Sequence, residues 1–387
     1  MVIVCTNMGM ACKSPRKVLV SAWQVAKAVL PAYSHRCSPR KFSQPTLFAC
    51  LVLRAFLKTD YRGLVEHLQD SPEWCQAIEL TAVPHFTTFQ KAARRLLRAP
   101  NVSQLLEETI TQVMGRKQKV DLAAIDSTGL ESHHTSQYFI NRRRQGSTPG
   151  RTSHYTRYPK LGLLVDCSNH LILSYLTSLG PRTDIRDLAP TLKQTSTHVR
   201  VVCLLADAGY DSEANHELCR DTHGIMTVIP PKLGRPTSNP ARGRYRRIMQ
   251  TRFNKKRYGQ RWQVETTFSM IKRLQGSATK GRSYHARRRD MMLMVLTHNI
   301  MILAPNVIII IQIKVFYTAK TKQFQSRFRL NACGFHDEVR RQGAILFFAL
   351  RRRLCRIVST PRLRLLDLAI EYCPYSPIQQ CNLIHAI

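Results

Sequence analysis

The sequence predicts an α/β protein preceded by a helical region. Two observations lead there. From Val120 onward, short apolar runs (VDLAAIDS, KLGLLVDCS, LILSYLTSLG, VVCLLADAGY, IMTVIPP) alternate with helical stretches, and strands alternating with helices point to an α/β domain. Before Val120 the apolar positions recur with helical spacing instead. A chain of 387 residues has room for two domains, and 44% hydrophobic residues build ordinary cores rather than a disordered chain.

Residues 1–40 carry little pattern and are assigned no role. Residues 41–116 read as the helical region. Pro45 suits the first turn of a helix through LFACLVLRAFL, a second helix fits YRGLVEHLQD, and a third follows Pro72. Thr87 and Gln90 have the spacing of a capping box ahead of Phe89, Ala92, Ala93, Leu96 and Leu97. On that helix Lys91, Arg94, Arg95 and Arg98 share one face opposite the apolar one. A short helix, a turn and a basic helix resemble a helix-turn-helix, and a solvated surface helix has the same pattern. Ser103, Glu107 and Glu108 fit the start of another helix.

Residues 117–320 make the α/β part. Two β-type runs meet at a polar turn at Ser168 and Asn169, started by Asp166. Asp184 to Lys193 and Ser212 to Thr222 look helical. Between Pro231 and Val264 there is no Asp or Glu, while Lys and Arg recur. That stretch opens as a loop and turns helical from Tyr258 past Lys272. A further helix runs from about Arg287 to Leu303. The apolar stretch Met291 to Ile313 is interrupted by His298, Asn299, Pro305, Asn306 and Gln312, which suits a core helix followed by a buried strand-like run rather than a membrane span. Residues 321–387 form a basic, Cys-containing tail of weak periodicity, expected to be poorly folded or aberrant.

Charge narrows the partner. Lys plus Arg total 59 against 24 Asp plus Glu, a net charge of +35. Such a surplus attracts polyanions, nucleic acid before an anionic membrane, because no lipid motif accompanies it. The 12 cysteines form no C-x-x-C pair, and the first residues lack a basic n-region and cleavage site. Both point to a reducing cytoplasm.

Two acids end apolar runs: Asp126 in AAIDSTG and Asp207 in LLADAGYD. An acid at the carboxyl end of a buried strand points into the crevice above the sheet. At about 100° per residue along the helix from Tyr258, Tyr258, Arg261, Glu265 and Lys272 fall within an arc of roughly 60°. Val264, Phe268 and Ile271 form the neighbouring apolar stripe that docks on the sheet. Hydrolysis or transfer of a phosphodiester needs such a set. Two divalent ions about 4 Å apart neutralise phosphoryl charge, and hard cations such as Mg²⁺ take carboxylate oxygens. Asp126, Asp207 and Glu265 are the candidate ligands and catalytic acids, with Tyr258, Arg261 and Lys272 on phosphate.

The gaps Y-(2)-R-(3)-E-(6)-K at Tyr258, Arg261, Glu265 and Lys272 resemble the signature of a large group of bacterial insertion-sequence DDE transposases. AIDSTG and LADAGYDSE resemble the segments that hold that family's two aspartates, 81 residues apart and followed after 58 by Glu265. The resemblance covers roughly residues 45–320. It implies a ribonuclease H-like mixed sheet flanked by helices and acids that bind two Mg²⁺ or Mn²⁺ ions. It implies attack by water to free 3′-hydroxyl ends, and joining of those ends to target DNA. Terminal inverted repeats would be bound by the N-terminal helical region, through Lys91, Arg94, Arg95 and Arg98, and a homodimer would assemble on paired ends. The tail from Lys320 matches nothing in that family. Two rivals stay open: a non-catalytic DNA-binding descendant, and a metal-dependent nuclease on the same fold. Among neighbouring residues, Asp184, Asp187 and Asp211 suit helix-start or loop acids, Trp262 suits packing better than base stacking, and His133, His134 and Arg142 to Arg144 suit a polar loop.

Overall fold

A computed structural model describes residues 11–115, 118–132, 157–195, 199–232 and 241–327, with backbone alone at 118 and over 306–327. The chain divides into two compact units, Val2–Ile309 and Ile310–Ile387 with Met1. All side-chain detail below belongs to the first. The second contributes the far part of one helix, which ends at Arg327. His133, His134, Arg142 to Arg144 and the tail beyond Arg327 lie outside the described residues.

Six helices form the N-terminal region: α1 (Pro15–Val29), α2 (Gln44–Phe56), α3 (Tyr61–Asp70), α4 (Pro72–Ala77), α5 (Phe86–Leu96) and α6 (Ala99–Met114). Helix α1 falls where the sequence shows little pattern. Ser14 caps it, and Pro15 opens its first turn, where a missing N–H costs nothing. Its Val18, Leu19, Ala22, Val25 and Ala26 are fully buried and pack on α2. Small Ala and Ser among the core positions hid the stripe. Pro45 opens α2 as expected, under a Ser43 cap. Two cap expectations fail. Helix α5 starts after His85, whose Nδ1 lies 2.9 Å from the Thr87 hydroxyl, so the Thr87–Gln90 box does not form. Helix α6 starts at Ala99 with Pro100 in its first turn, which places Ser103, Glu107 and Glu108 inside it. Residues 78–85 join α4 to α5, longer than the 3–4-residue turn of a tight helix-turn-helix.

The α/β part is built on five strands: β2 (Ala123–Gly129), β4 (Tyr158–Asp166), β5 (Ile172–Gly180), β7 (Cys203–Ala206) and β8 (Met226–Val228), in the order β5-β4-β2-β7-β8. β5, β4 and β2 run antiparallel, and β2, β7 and β8 run parallel. This is the ribonuclease H-like mixed sheet. The short pairs β1 (Gln118–Val120) with β6 (Val199–Val201), and β3 (Glu131–Ser132) with β9 (Ala278–Thr279), lie apart from it. β4 is buried along all but its first residue, as a strand covered on both faces must be. The β4–β5 turn is started by Asp166, which accepts from the Ser168 N–H and hydroxyl at 2.8 Å each.

Flanking helices include α7 (Leu188–Lys193), entered from a 3₁₀ turn at Asp184–Asp187, and α8 (Glu213–Glu217), capped by Ser212 and continued by a wider turn to Thr222. Then follow α9 (Arg244–Thr251), α10 (Lys255–Tyr258), α11 (Trp262–Gln275) and α12 (Tyr284–Arg327). A 3₁₀ turn at Gly259–Arg261 separates α10 from α11, so the helix from Tyr258 is not the single regular one that the spacing suggests. The strand-like run after Pro305 is helical too, because α12 continues through it. Unbroken apolar runs do not distinguish strand from helix. No helix among the described residues is long and apolar enough to cross a membrane.

The cation-rich segment 231–264 has no acid of its own, so others anchor it. Glu213 accepts from the backbone N–H groups of Tyr245 (2.8 Å) and Arg246 (3.1 Å). A carboxylate is thereby placed on the positive end of α9. Gly243 precedes that helix at φ 103, and a Cβ there would collide with the Glu213 carboxylate.

Candidate active site

β2 and β7 are parallel with Ile125 opposite Ala206. One residue further on, Asp126, still inside β2, stands beside Asp207, which follows the last residue of β7, about 4.8 Å away in backbone spacing. Apolar packing carries the acid of α11 to them. Val264, Phe268 and Ile271 are buried, and α11 lies on β2 and β4. Glu265 stands on the first turn of α11, beside Arg261.

Arg261 binds the carboxylates together. Its Nη1 lies 3.1 Å from Asp126 Oδ2, and its Nη2 makes a short contact with Glu265 Oε1. Asp126 is pushed up from 3.8 to about 6. Burial is the largest cause, opposed by the Ser127 N–H and by Arg261 and reinforced by the charges of Asp207 and Glu265. Burial works against the charge of Arg261, but Glu265 and Asp126 outweigh it and raise its pKa. Lys272 Nζ donates to Thr128 Oγ1 at 2.7 Å, so it reaches the same strand end. Tyr258 makes no hydrogen bond to these carboxylates among the described residues, but it is near enough to bear on the charge of Arg261. Beyond the 3₁₀ turn its ring rests on Phe253, centroids 5.0 Å apart. Trp262 is 52% exposed rather than packed. Lys91, Arg94 and Arg98 are exposed on α5 and its C-terminal end, and Arg95 is half-buried.

Several residues not singled out from the sequence complete the surroundings. The Ser127 N–H donates to Asp126 Oδ1 at 2.7 Å and its hydroxyl donates to Asp184 Oδ1 at 2.6 Å. Lys160 Nζ is 2.7 Å from Asp184 and 3.4 Å from Asp187. The fully buried Tyr210 has Asp184, Asp126, Asp187 and Asp207 around its hydroxyl, and burial first, then those charges, push its pKa far above the ordinary value. Lys160 belongs to no readable motif. The one local signal is the acid pair at 184 and 187, which reads in sequence as helix-start acids. Asp211 is structural. Arg246 holds it at 2.7 Å, the Lys232 N–H at 2.6 Å, and His216 stands at 3.7 Å. Burial alone would raise its pKa, but these partners hold it at about 2.

Donor chemistry fits a hard dication. Hard cations take carboxylate oxygens, and Asp207 and Glu265 are near enough to Asp126 for their charges to bear on it, after burial, which acts first. Among the described residues, however, no three acid, His or Cys side chains are gathered as a ready ligand set. Arg261 occupies the space between Asp126 and Glu265 instead.

A five-stranded mixed sheet brings Asp126 beside Asp207, and the helix that carries Glu265 packs on that sheet. Residues 118–300 match the family model of the transposase DDE domain, which supports a DDE transposase. No curated protein matches the chain. Among solved structures, a piggyBac transposase synaptic complex with hairpin DNA aligns at TM-score 0.39 and 13% identity, over 88% of this chain and 86% of that one. A pre-cleavage Mos1 transpososome aligns at TM-score 0.17 and 13% identity, over 73% and 85%.

Proposed function

We propose that this chain is an insertion-sequence transposase of the Y-(2)-R-(3)-E-(6)-K group. It cleaves DNA phosphodiester bonds and joins 3′-hydroxyl ends to target DNA. One observation supports the reading: Asp126 within β2 and Asp207 just past β7 stand side by side where the parallel pairing of those strands ends, and Glu265 is tied to Asp126 through Arg261. Two Mg²⁺ or Mn²⁺ ions held by Asp126, Asp207 and Glu265 would neutralise the phosphoryl oxygens and activate the attacking oxygen. With the carboxylates so engaged, Arg261 would be free to turn toward phosphate. Lys272 holds a second phosphate beside Thr128. Tyr258 serves phosphate only if the 3₁₀ turn at Gly259–Arg261 rewinds. The exposed Trp262 offers a face to a base.

Lys91, Arg94, Arg95 and Arg98, on α5 and just beyond it, bind the terminal inverted repeats, and a homodimer assembles on paired ends in the bacterial cytoplasm. Incubation with Mg²⁺ and DNA carrying the element's ends tests this. Cleavage and joining are expected, each reduced by on the order of 10³-fold in Asp126→Asn and Glu265→Gln. Activity unchanged in those variants removes the mechanism. Salt-sensitive binding without cleavage favours a DNA-binding descendant, and cleavage without joining favours a nuclease.

A further inference from the structure

A cavity of about 600 Å³ opens at the edge of the sheet, lined by Arg157, Leu179, Gly180, Pro181, Arg182, Thr183 and Arg186. Its walls carry three guanidiniums and no acid. Among the described residues, Arg157 and Arg186 have no ion-pair partner, while Arg182 Nε lies 3.0 Å from Asp187 and its side chain is 43% exposed.

The register places this cavity. Tyr158 pairs with Gly180, and Lys160 pairs with Gly129. Arg157 precedes Tyr158 and Arg182 follows Gly180, so the guanidiniums gather beyond the end toward which β2 runs from Asp126.

A second, independent observation shows that the loop is built to stay there. Lys160 is 5% exposed and Asp187 2%. Lys160 Nζ donates to the Arg182 carbonyl at 2.7 Å and pairs with Asp184 and Asp187. Asp184 in turn receives the Ser127 hydroxyl. A buried charge pair with several partners fixes geometry more than it adds stability. Here it fixes the arginine loop to the residue after Asp126.

We propose that this cavity holds the phosphodiester backbone of the DNA strand whose reacting bond is placed at Asp126. It deepens the transposase reading, on which it rests for the strand's reacting bond. Arginine is suited to the task, since its planar fork pairs with phosphate oxygens two at a time. Among the described residues nothing neutralises Arg157 and Arg186, and Arg182 is presented by Asp187.

The test is binding of labelled duplex DNA to the full chain without divalent metal, from low to high potassium chloride. For Arg157→Ala/Arg186→Ala, the slope of log K against log salt is expected to fall by about 2, near 0.9 for each phosphate lost. Arg186→Gln alone should lower it by about half as much. Arg36→Ala/Arg40→Ala, exposed cations of the helical region, should leave it unchanged. The proposal is overturned if the slope of the Arg186→Gln protein, melting as wild type does, equals the wild-type slope. It is also overturned if the control pair loses as much. Because no metal or cleavage enters, a lowered slope in a protein that never cuts DNA would keep the cavity and sink the transposase reading.

Discussion

At the residue scale, the guanidinium of Arg261 is the cation shared by Asp126 and Glu265. Without it, these carboxylates and Asp207 repel one another in a partly buried place. Arg261→Met should therefore melt a few degrees below wild type in the absence of divalent ions. Added Mg²⁺ should restore more stability to the variant than to wild type, since an ion that binds only the folded state stabilises it. Equal responses in the two proteins would contradict this. Asp211 makes a separate prediction. Its carboxyl, near 2 folded and 3.8 ordinarily, contributes stability that is complete above about pH 4 and lost as pH falls toward 2. Asp211→Asn should lose stability at neutral pH and flatten that acid limb in urea titrations. The acids Asp126 and Asp207 were readable because each ends an apolar run. Lys160 and Asp184 were not, because they meet Ser127 only after the sheet has formed.

At the element scale, α12 is held to the sheet by buried polar groups. Asn299 accepts from the Ile172 N–H at 2.9 Å, donates to the Ile172 carbonyl at 2.9 Å and donates to Thr109 at 3.1 Å. Asn299→Ala strands these backbone groups in the core, so unfolding by denaturant should cost about 2–4 kcal/mol less. A loss below about 0.5 kcal/mol would show that water replaces the amide. One helix position earlier, His298 bonds the His170 carbonyl at 2.9 Å. Burial holds its pKa down, from 6.5 to about 4. The unfolded chain takes up its proton first, so stability is full above about pH 6.5 and falls as pH drops to 4. In His298→Gln this limb should be absent from melting temperatures measured across that window. These polar positions were visible in the sequence as interruptions of an apolar run. The helix beyond Pro305 was not, because Val307 and the isoleucines after it carry strand propensity that periodicity could not overrule. The 3₁₀ turn at Gly259–Arg261 escaped for a related reason, since an idealised step of about 100° per residue assumes the helix it sets out to describe.

At the scale of the whole molecule, strand order decides what the chain can do. Placing β2 between an antiparallel and a parallel neighbour brings Asp126 beside Asp207, whose positions in the sequence are far apart. Alternation of strand and helix made the α/β class legible, and two acids with one spaced helical motif pointed to the candidate site. The pairing itself rests on long-range contacts that no local pattern encodes. A net charge of +35 predicts DNA binding that weakens steeply with salt, and Lys91→Ala/Arg94→Ala should reduce that dependence by about 2 in slope if α5 touches phosphate. An unchanged slope would make α5 a solvated surface helix. The central claim is that Asp126, Asp207 and Glu265 form one metal centre, and Mn²⁺ binding by calorimetry tests it most directly. Wild type should bind Mn²⁺, and Asp126→Asn, Asp207→Asn and Glu265→Gln should each weaken it by about tenfold or more while the proteins stay folded. Wild-type affinity in all three variants would contradict the account.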